Sequence, residues 1–308
     1  MIDDLVMVME IDPPESILLD PEIPFDWNGI LFSPFYRKGE LIKYVGEFRN
    51  LRLVINSSKL TVSGSLHKFY HGNNSGDFTW REIQATLELL ANVIGEDLDK
   101  AHLKKLTFAC NLPIEAKPFL DRLISIKGRK PVNMVGGINH IPYGKYIKLT
   151  HYRIKIYDKK MEVNWHDRKR IKPTLRMEIE MNLKAFKSRK SNPIDINFLS
   201  DLFDTKFVFF CRQELLSVAD QLEFTQDILP CNCTSSFDLE CLALMKDMEI
   251  RLNYKRLSNP KTYRKKLKRY QELCRQFESN NLKQTLLTMV GNKLEELTNS
   301  DLTLQKVG

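Results

Sequence analysis

Polar and apolar residues alternate from Lys145 to Tyr157, which sorts the side chains of a strand onto two faces. Tyr152, Ile154 and Ile156 fall on one face, suited to packing against helices, and His151, Arg153, Lys155 and Tyr157 fall on the other. A phenol flanked by cations can serve as a nucleophile on an anionic substrate, because cations favour the phenolate and hold a phosphate in place. A solvated face ending in an amphipathic tyrosine gives the same pattern. The next strand, Thr174 to Met181, divides likewise, with Leu175, Met177, Ile179 and Met181 apolar and Arg176, Glu178 and Glu180 polar. Paired with its predecessor, it sets Glu178 across the sheet from Tyr157. A carboxylate there could hold a divalent ion that polarises a phosphoryl oxygen, or close an ion pair with Lys or Arg.

The elements that must position these groups are legible as periodicity. Residues 1–79 read mostly as strands, among them Leu51–Ile55 and Lys59–Ser63 around an Asn56-Ser-Ser58 turn. His71–Asp77 is a loop by composition, and Thr79-x-x-Glu82 opens a helix that carries Ile83, Leu87, Leu90 and Ile94 and stops at Gly95. A strand over Leu103–Leu112 packs Leu106, Phe108, Cys110 and Leu112 and turns Thr107, Ala109 and Asn111 to the chemical face. His67 and His71 have the spacing of a helical ligand pair, but the segment around them does not read as a helix. A short helix is expected around Pro118–Ile126, loops at Lys127–Lys130 and Gly136-Gly137, and a basic connector over Asp167–Lys172. From about Asn197 the pattern is helical to the end. The layout predicts an α+β fold, a mainly antiparallel sheet with packed helices, over residues 1–205, followed by a helical region over 206–308.

The charge is segregated. The net charge of +8 conceals 23 Lys and Arg against seven Asp and Glu in residues 100–190, and ten bases against the single acid Glu272 in 251–275. Residues 1–50 run the other way, with ten acids and four bases. Asn259-Pro260 starts a helix whose Tyr263, Leu267, Tyr270, Cys274 and Phe277 form an apolar stripe. Arg264, Lys265, Lys266, Lys268 and Arg269 cover its remaining surface, a face suited to nucleic-acid phosphates. A track joining the two basic segments is the expected path of DNA. With 43% apolar residues in 308 and no apolar run near the ~20 residues of a membrane span, a globular protein that does not cross a membrane is expected. The acidic start, Met1-Ile-Asp-Asp4, is unlike a secretory leader. Six scattered cysteines suit a reducing cytoplasm, and Cys231-x-Cys233 lacks the second pair of a structural zinc site.

At these residues the sequence resembles the replication initiators of filamentous phages, the gene II and gene X protein family, relatives of the rolling-circle initiators of plasmids. The similarity lies in Met1-Ile-Asp-Asp-Leu-Val6, Leu60-Thr-Val-Ser-Gly64, Tyr157-Asp-Lys-Lys-Met-Glu162 and Leu175-Arg-Met-Glu178, in order over residues 1–205. The resemblance implies a cytoplasmic, metal-dependent nickase of origin DNA, single- or double-stranded, that works with a host helicase and polymerase in a bacterial cell. Its tyrosine forms a 5′-phosphotyrosine link and frees a 3′-OH that primes synthesis. Carried over, Tyr157 is the nucleophile, Lys159 a phosphate-stabilising partner and Glu178 a ligand of Mg²⁺ or Mn²⁺. The face argument adds His151 as a ligand and Arg153, Lys155 and Arg176 as DNA-binding cations, and the basic helix after Pro260 adds Arg264, Lys265 and Lys268. Thr107 departs from the family, which often has an acid at that place. Either His67 or His151 then completes the metal shell, or the chain keeps the fold for DNA binding alone, without catalysis. An RNA-binding structural protein is a third reading.

Overall fold

The apolar alternation builds one large antiparallel sheet, seen in a computed structural model that describes residues 1–12, 14, 22–137, 139–166, 171–182, 196–225, 230–276 and 282–299. Strand β1 (Ile2–Glu10) buries Leu5, Met7 and Met9 on one face. Strands β2 (Phe25–Trp27), β3 (Ile30–Arg37), β4 (Glu40–Phe48), β5 (Leu51–Asn56) and β6 (Lys59–Ser65) follow as successive hairpins. The segment read as non-helical is a short helix, α1 (Leu66–His71), because Ser65 caps its first turn and Gly72 ends it at φ 74°. Helix α2 (Trp80–Ile94) starts and stops as the sequence predicts, with both arms of the Thr79–Glu82 capping box formed and Gly95 in the left-handed region.

Strand β7 (His102–Leu112) leads into α3 (Lys117–Arg122) and β8 (Leu123–Ile126). The helix expected to reach Ile126 therefore ends four residues early, where Leu123-Ile-Ser-Ile126 takes extended pairing. Strands β9 (Val132–Gly136), β10 (Ile141–Lys148) and β11 (Tyr152–Asp158) follow, then α4 (Lys159–His166) and β12 (Leu175–Asn182). The single strand expected over 145–157 is thus a hairpin that turns at Leu149–His151. Beyond it come α5 (Thr205–Asp220), β13 (Leu222–Phe224), α6 (Ser236–Met245), α7 (Met248–Leu257), α8 (Pro260–Gln276) and α9 (Leu282–Asn299). Residues 167–170 of the basic connector, Phe277 of the apolar stripe and the last residues of the chain lie outside the described residues.

The sheet order is β2-β3-β4-β5-β6-β1-β7-β12-β11-β10-β9, with β13 and β8 as a separate ribbon. The fold is α+β, as expected. Strands β1, β7, β12 and β11 form its centre and bury one face against helices. Leu106, Phe108, Met177 and Ile179 share a core with Ile83 and Leu87 of α2, Phe207 and Phe210 of α5, and Val290 and Leu294 of α9. Helices α6 and α8 hold a smaller cluster of their own around Cys241, Met245, Tyr270 and Leu273. The expected domain boundary at 205 falls at the first residue of α5, whose apolar side joins the sheet core. No helix among the described residues is long and apolar enough to cross a membrane.

Gly144 pairs directly with Tyr157. A Cβ built there would lie 2.3 Å from the Tyr157 Cβ and 2.9 Å from the Ile156 carbonyl oxygen. Backbone cannot swing aside as a side-chain tip can, so Gly144→Ala should push β10 away from β11. The expected loss is about 3 kcal/mol of stability, read from the midpoint of urea unfolding.

Candidate functional site

The face of the sheet away from the helices carries a polar lattice set by register. Arg176 lies between Asn111 and Tyr157, Glu178 between Ala109 and Lys155, and Glu180 between Thr107 and Arg153. The Tyr157 hydroxyl donates to Glu178 Oε2 at 2.9 Å, and Lys155 Nζ donates to Oε1 at 2.6 Å. Arg176 Nε reaches Glu178 Oε2 at 3.3 Å, Nη1 donates to Asn111 Oδ1 at 2.8 Å, and Nη2 donates to Asp3 Oδ2. Asp3 also accepts from Ser65 Oγ at 2.5 Å and from Asn74 at 3.3 Å.

A solvated face was one of the two readings of this strand, yet its centre is buried, with Tyr157 3%, Arg176 2% and Glu178 5% exposed. The cover comes from both ends. Asn111 donates to the carbonyl of Gly76 at 2.7 Å in the loop after α1. At the other end, Tyr143 stands edge-on to Tyr157 with ring centroids 6.0 Å apart, and Lys159 Nζ lies 6.0 Å from the Tyr157 ring. Lys159 is itself buried and pairs with Glu162 at 2.5 Å.

The electrostatics follow from this burial. Burial pushes Tyr157 well above the usual phenol range, and the Glu178 carboxylate adds to the effect against the charge of Arg176. Burial also opposes ionisation of Glu178 and Asp3. The Arg176 charge overcomes it, with help from Lys155 at Glu178 and Ser65 at Asp3. Glu178 is left below its ordinary value and Asp3 is lowered to about 2. Lys159 is lowered by burial and then by Arg176. Asp4 behaves oppositely, since burial, Asp3 and Glu178 all raise it, to about 6.

The predicted residues therefore separate into groups. Tyr157, Lys155, Glu178 and Arg176 meet at one point, and Lys159 closes over them. Arg176, expected to bind DNA, is instead an internal cation, because its donors are taken by Asp3, Glu178 and Asn111. His151 sits in the hairpin turn, and its carbonyl accepts from Asn182. Asn182 lies four residues along β12 from Glu178, about 13 Å at the rise of a strand. Arg153 is half-buried beside Tyr146, with the guanidinium carbon 5.8 Å from its ring. His67 lies against Phe78, ring centroids 4.9 Å apart, with Nε2 buried and unpartnered, and burial above all lowers it to about 3.

A divalent ion needs several oxygen ligands, and the arrangement does not fit one shared by Glu178 and His151. Both oxygens of Glu178 already accept from internal donors, and a guanidinium bridges it to Asp3 where a cation would sit. Among the described residues no group of three or more His, Cys, Asp and Glu is placed to hold a metal ion. Asp3 and Asp4 escaped the sequence reading. The available signal was two adjacent acids inside an apolar strand, where the pairing of β1 with β7 shifts register between Ile2 and Leu5.

On α8, Arg264, Lys265 and Lys268 are exposed. Lys266 is paired with Glu240, and Arg269 with Asp238 at 2.6 and 3.0 Å, so part of the helix's charge is neutralised by α6. Lys127, which shares a cavity wall with α8, donates to Tyr152 at 3.3 Å on the apolar side of β11.

No protein-family profile matches the chain, and no curated protein matches it. It is similar to the solved structure of a rolling circle replication initiator protein from Geobacillus stearothermophilus. The two are 13% identical with a TM-score of 0.35, and the match covers 59% of this chain and 73% of that one.

Two measurements test the lattice. Arg176→Met should destabilise the protein by about 3–5 kcal/mol, because it leaves two buried carboxylates uncompensated. Adding Asp3→Asn and Glu178→Gln to the same chain should restore part of that loss in urea unfolding. For Asp4 the raised folded value means that its protonated form stabilises the fold. That contribution is complete below the ordinary carboxylate range and lost as pH rises through about 6. Asp4→Asn should accordingly gain about 2–3 kcal/mol over the parent at pH 8 and almost nothing at pH 4.

Proposed function

We propose that the protein binds DNA and cleaves one strand through Tyr157, in the manner of a replication initiator. The observation that carries this reading is the phenol–carboxylate pair, with Tyr157 Oη and Glu178 Oε2 2.9 Å apart and Lys155 held on the same carboxylate. In the reaction Tyr157 Oη attacks a backbone phosphorus, its proton passes to Glu178, and the bond from phosphorus to O3′ breaks. The leaving O3′ takes a proton from water, and the DNA remains joined to the tyrosine through its 5′-phosphate. Lys159, lowered by burial and still paired with Glu162, and Lys155 supply positive charge toward the phosphate. The exposed Arg264, Lys265 and Lys268 of α8 add affinity that weakens with salt.

A second reading, binding without cleavage, is favoured by the same lattice in its closed form. A phenol 3% exposed holds its proton, and a carboxylate with three internal donors is neither a free base nor an open metal ligand. Incubation with single-stranded origin DNA separates the two, with Mg²⁺, Mn²⁺ or EDTA in parallel arms and denaturing electrophoresis as the readout. The first reading expects a covalent adduct that Tyr157→Phe abolishes while salt-sensitive binding stays unchanged. Tight binding with no adduct in any arm leaves only the second.

A further inference from the structure

Where the β8–β13 ribbon meets α7, α8 and the start of α9, the fold forms an open cavity of about 390 Å³, within the range of small-molecule sites. Four cations from four elements line it, Lys127 after β8, Arg251 of α7, Arg275 of α8 and Lys283 of α9, against two carboxylates, Asp220 and Glu223. Arg251 is the buried one, 3% exposed. Its Nε donates to the Met245 carbonyl at 2.8 Å, its Nη1 pairs with Glu223 at 2.5 Å, and its guanidinium carbon lies 5.6 Å from the Tyr270 ring. Its Nη2 is buried without an acceptor. That nitrogen is out of reach of solvent, so Arg251 contributes charge to the wall but no open donor. Glu223 neutralises Arg251 and Asp220 pairs with Lys283 at 3.1 Å, which leaves Lys127 and the exposed Arg275 as excess positive charge on the walls.

We propose that this cavity binds a phosphomonoester, the 5′-phosphate of a nucleotide either free or at the end of a DNA strand. A dianionic phosphate matches the Arg275 guanidinium and the Lys127 ammonium, set among the paired cations Arg251 and Lys283, better than a single carboxylate does. Gln271 adds a neutral amide to the lining, and the rings of Phe224 and Tyr270 give the attached group an apolar wall. The volume exceeds what one phosphate fills. This site uses none of the residues around Tyr157 and stands independently of the cleavage reading.

Calorimetry on the full chain tests it. A deoxynucleoside 5′-monophosphate should bind at least ~10-fold more tightly than the nucleoside, and the Arg275→Ala/Lys283→Ala double variant should lose that advantage. Both replaced residues are surface-accessible, and unchanged circular dichroism with an unchanged unfolding midpoint keeps the comparison valid. The two sources separate with oligonucleotides. If a 5′-phosphorylated strand outcompetes its 5′-hydroxyl twin while the free nucleotide is silent, the ligand is a strand end. If the free nucleotide binds, it is a nucleotide. Equal binding of nucleotide and nucleoside, no preference for 5′-phosphate in either form, or a double variant that binds like the parent would overturn the proposal.

Discussion

Arg176 carries a permanent charge into the middle of the sheet, where it is 2% exposed and largely removed from bulk solvent. The charge is tolerable only because two carboxylates, Asp3 from β1 and Glu178 from its own strand, accept from it, with Asn111 of β7 as a third acceptor. Those partners come from the three strands at the centre of the sheet order, so the pairing of β1, β7 and β12 and the placement of the guanidinium require each other. Removing the cation would leave two buried carboxylates. Removing either carboxylate would leave part of the guanidinium unanswered.

The rest of the lattice is arranged around that bond. Glu178 is held ionised by Arg176 and Lys155, which lets it accept the Tyr157 proton donor at 2.9 Å and fixes the phenol in one orientation. Gly144, opposite Tyr157 on β10, lets the strands approach where any side chain would strike the Tyr157 backbone. The same burial that orients the phenol also retains its proton. Position and reactivity are therefore opposed in this arrangement, and chemistry at Tyr157 requires that the cover formed by Tyr143 and Lys159 admit a phosphate. Asp4 marks the cost of crowding acids at this point. Asp3 and Glu178 have a guanidinium between them, whereas Asp4 is pushed up by burial and by both neighbours.

Periodicity carried most of the fold. The capped helix from Thr79 to Gly95, the face division of β11 and β12, and the packing side of β7 all follow from local residue types, and local rules govern them. What escaped depended on partners distant in sequence. Leu123–Ile126 is a strand because Leu222–Phe224 pairs with it, and nothing within the segment announces that. The hairpin turn at Leu149–His151 interrupts an alternation that reads as continuous, so His151 was assigned to a face it does not share. At the site, the meeting of Tyr157 with Glu178 was legible from strand order. The part played by Asp3 was not, because it requires that the first strand of the chain insert beside β7, about a hundred residues away.

The charge segregation has a more specific meaning once the contacts are known. Of the cations between residues 100 and 190, Lys155, Lys159 and Arg176 are internal partners of carboxylates, and Lys105 is paired with Glu180 at 3.3 Å. On α8, Lys266 and Arg269 are held by acids of α6. Part of the basic excess thus assembles the protein, with counter-charges from the same segment, Glu162, Glu178 and Glu180, and from Asp3, Asp238 and Glu240 outside it. Exposed cations remain on α8, as Arg264, Lys265 and Lys268, and elsewhere on the surface, Lys104, Arg129 and Lys148 among them. Lys127, on the cavity that the end of α8 lines, reaches Tyr152 on the apolar side of β11. A polyanion that meets both this cavity and Tyr157 must therefore bend around an edge of the sheet, which a flexible single strand does more readily than a stiff duplex.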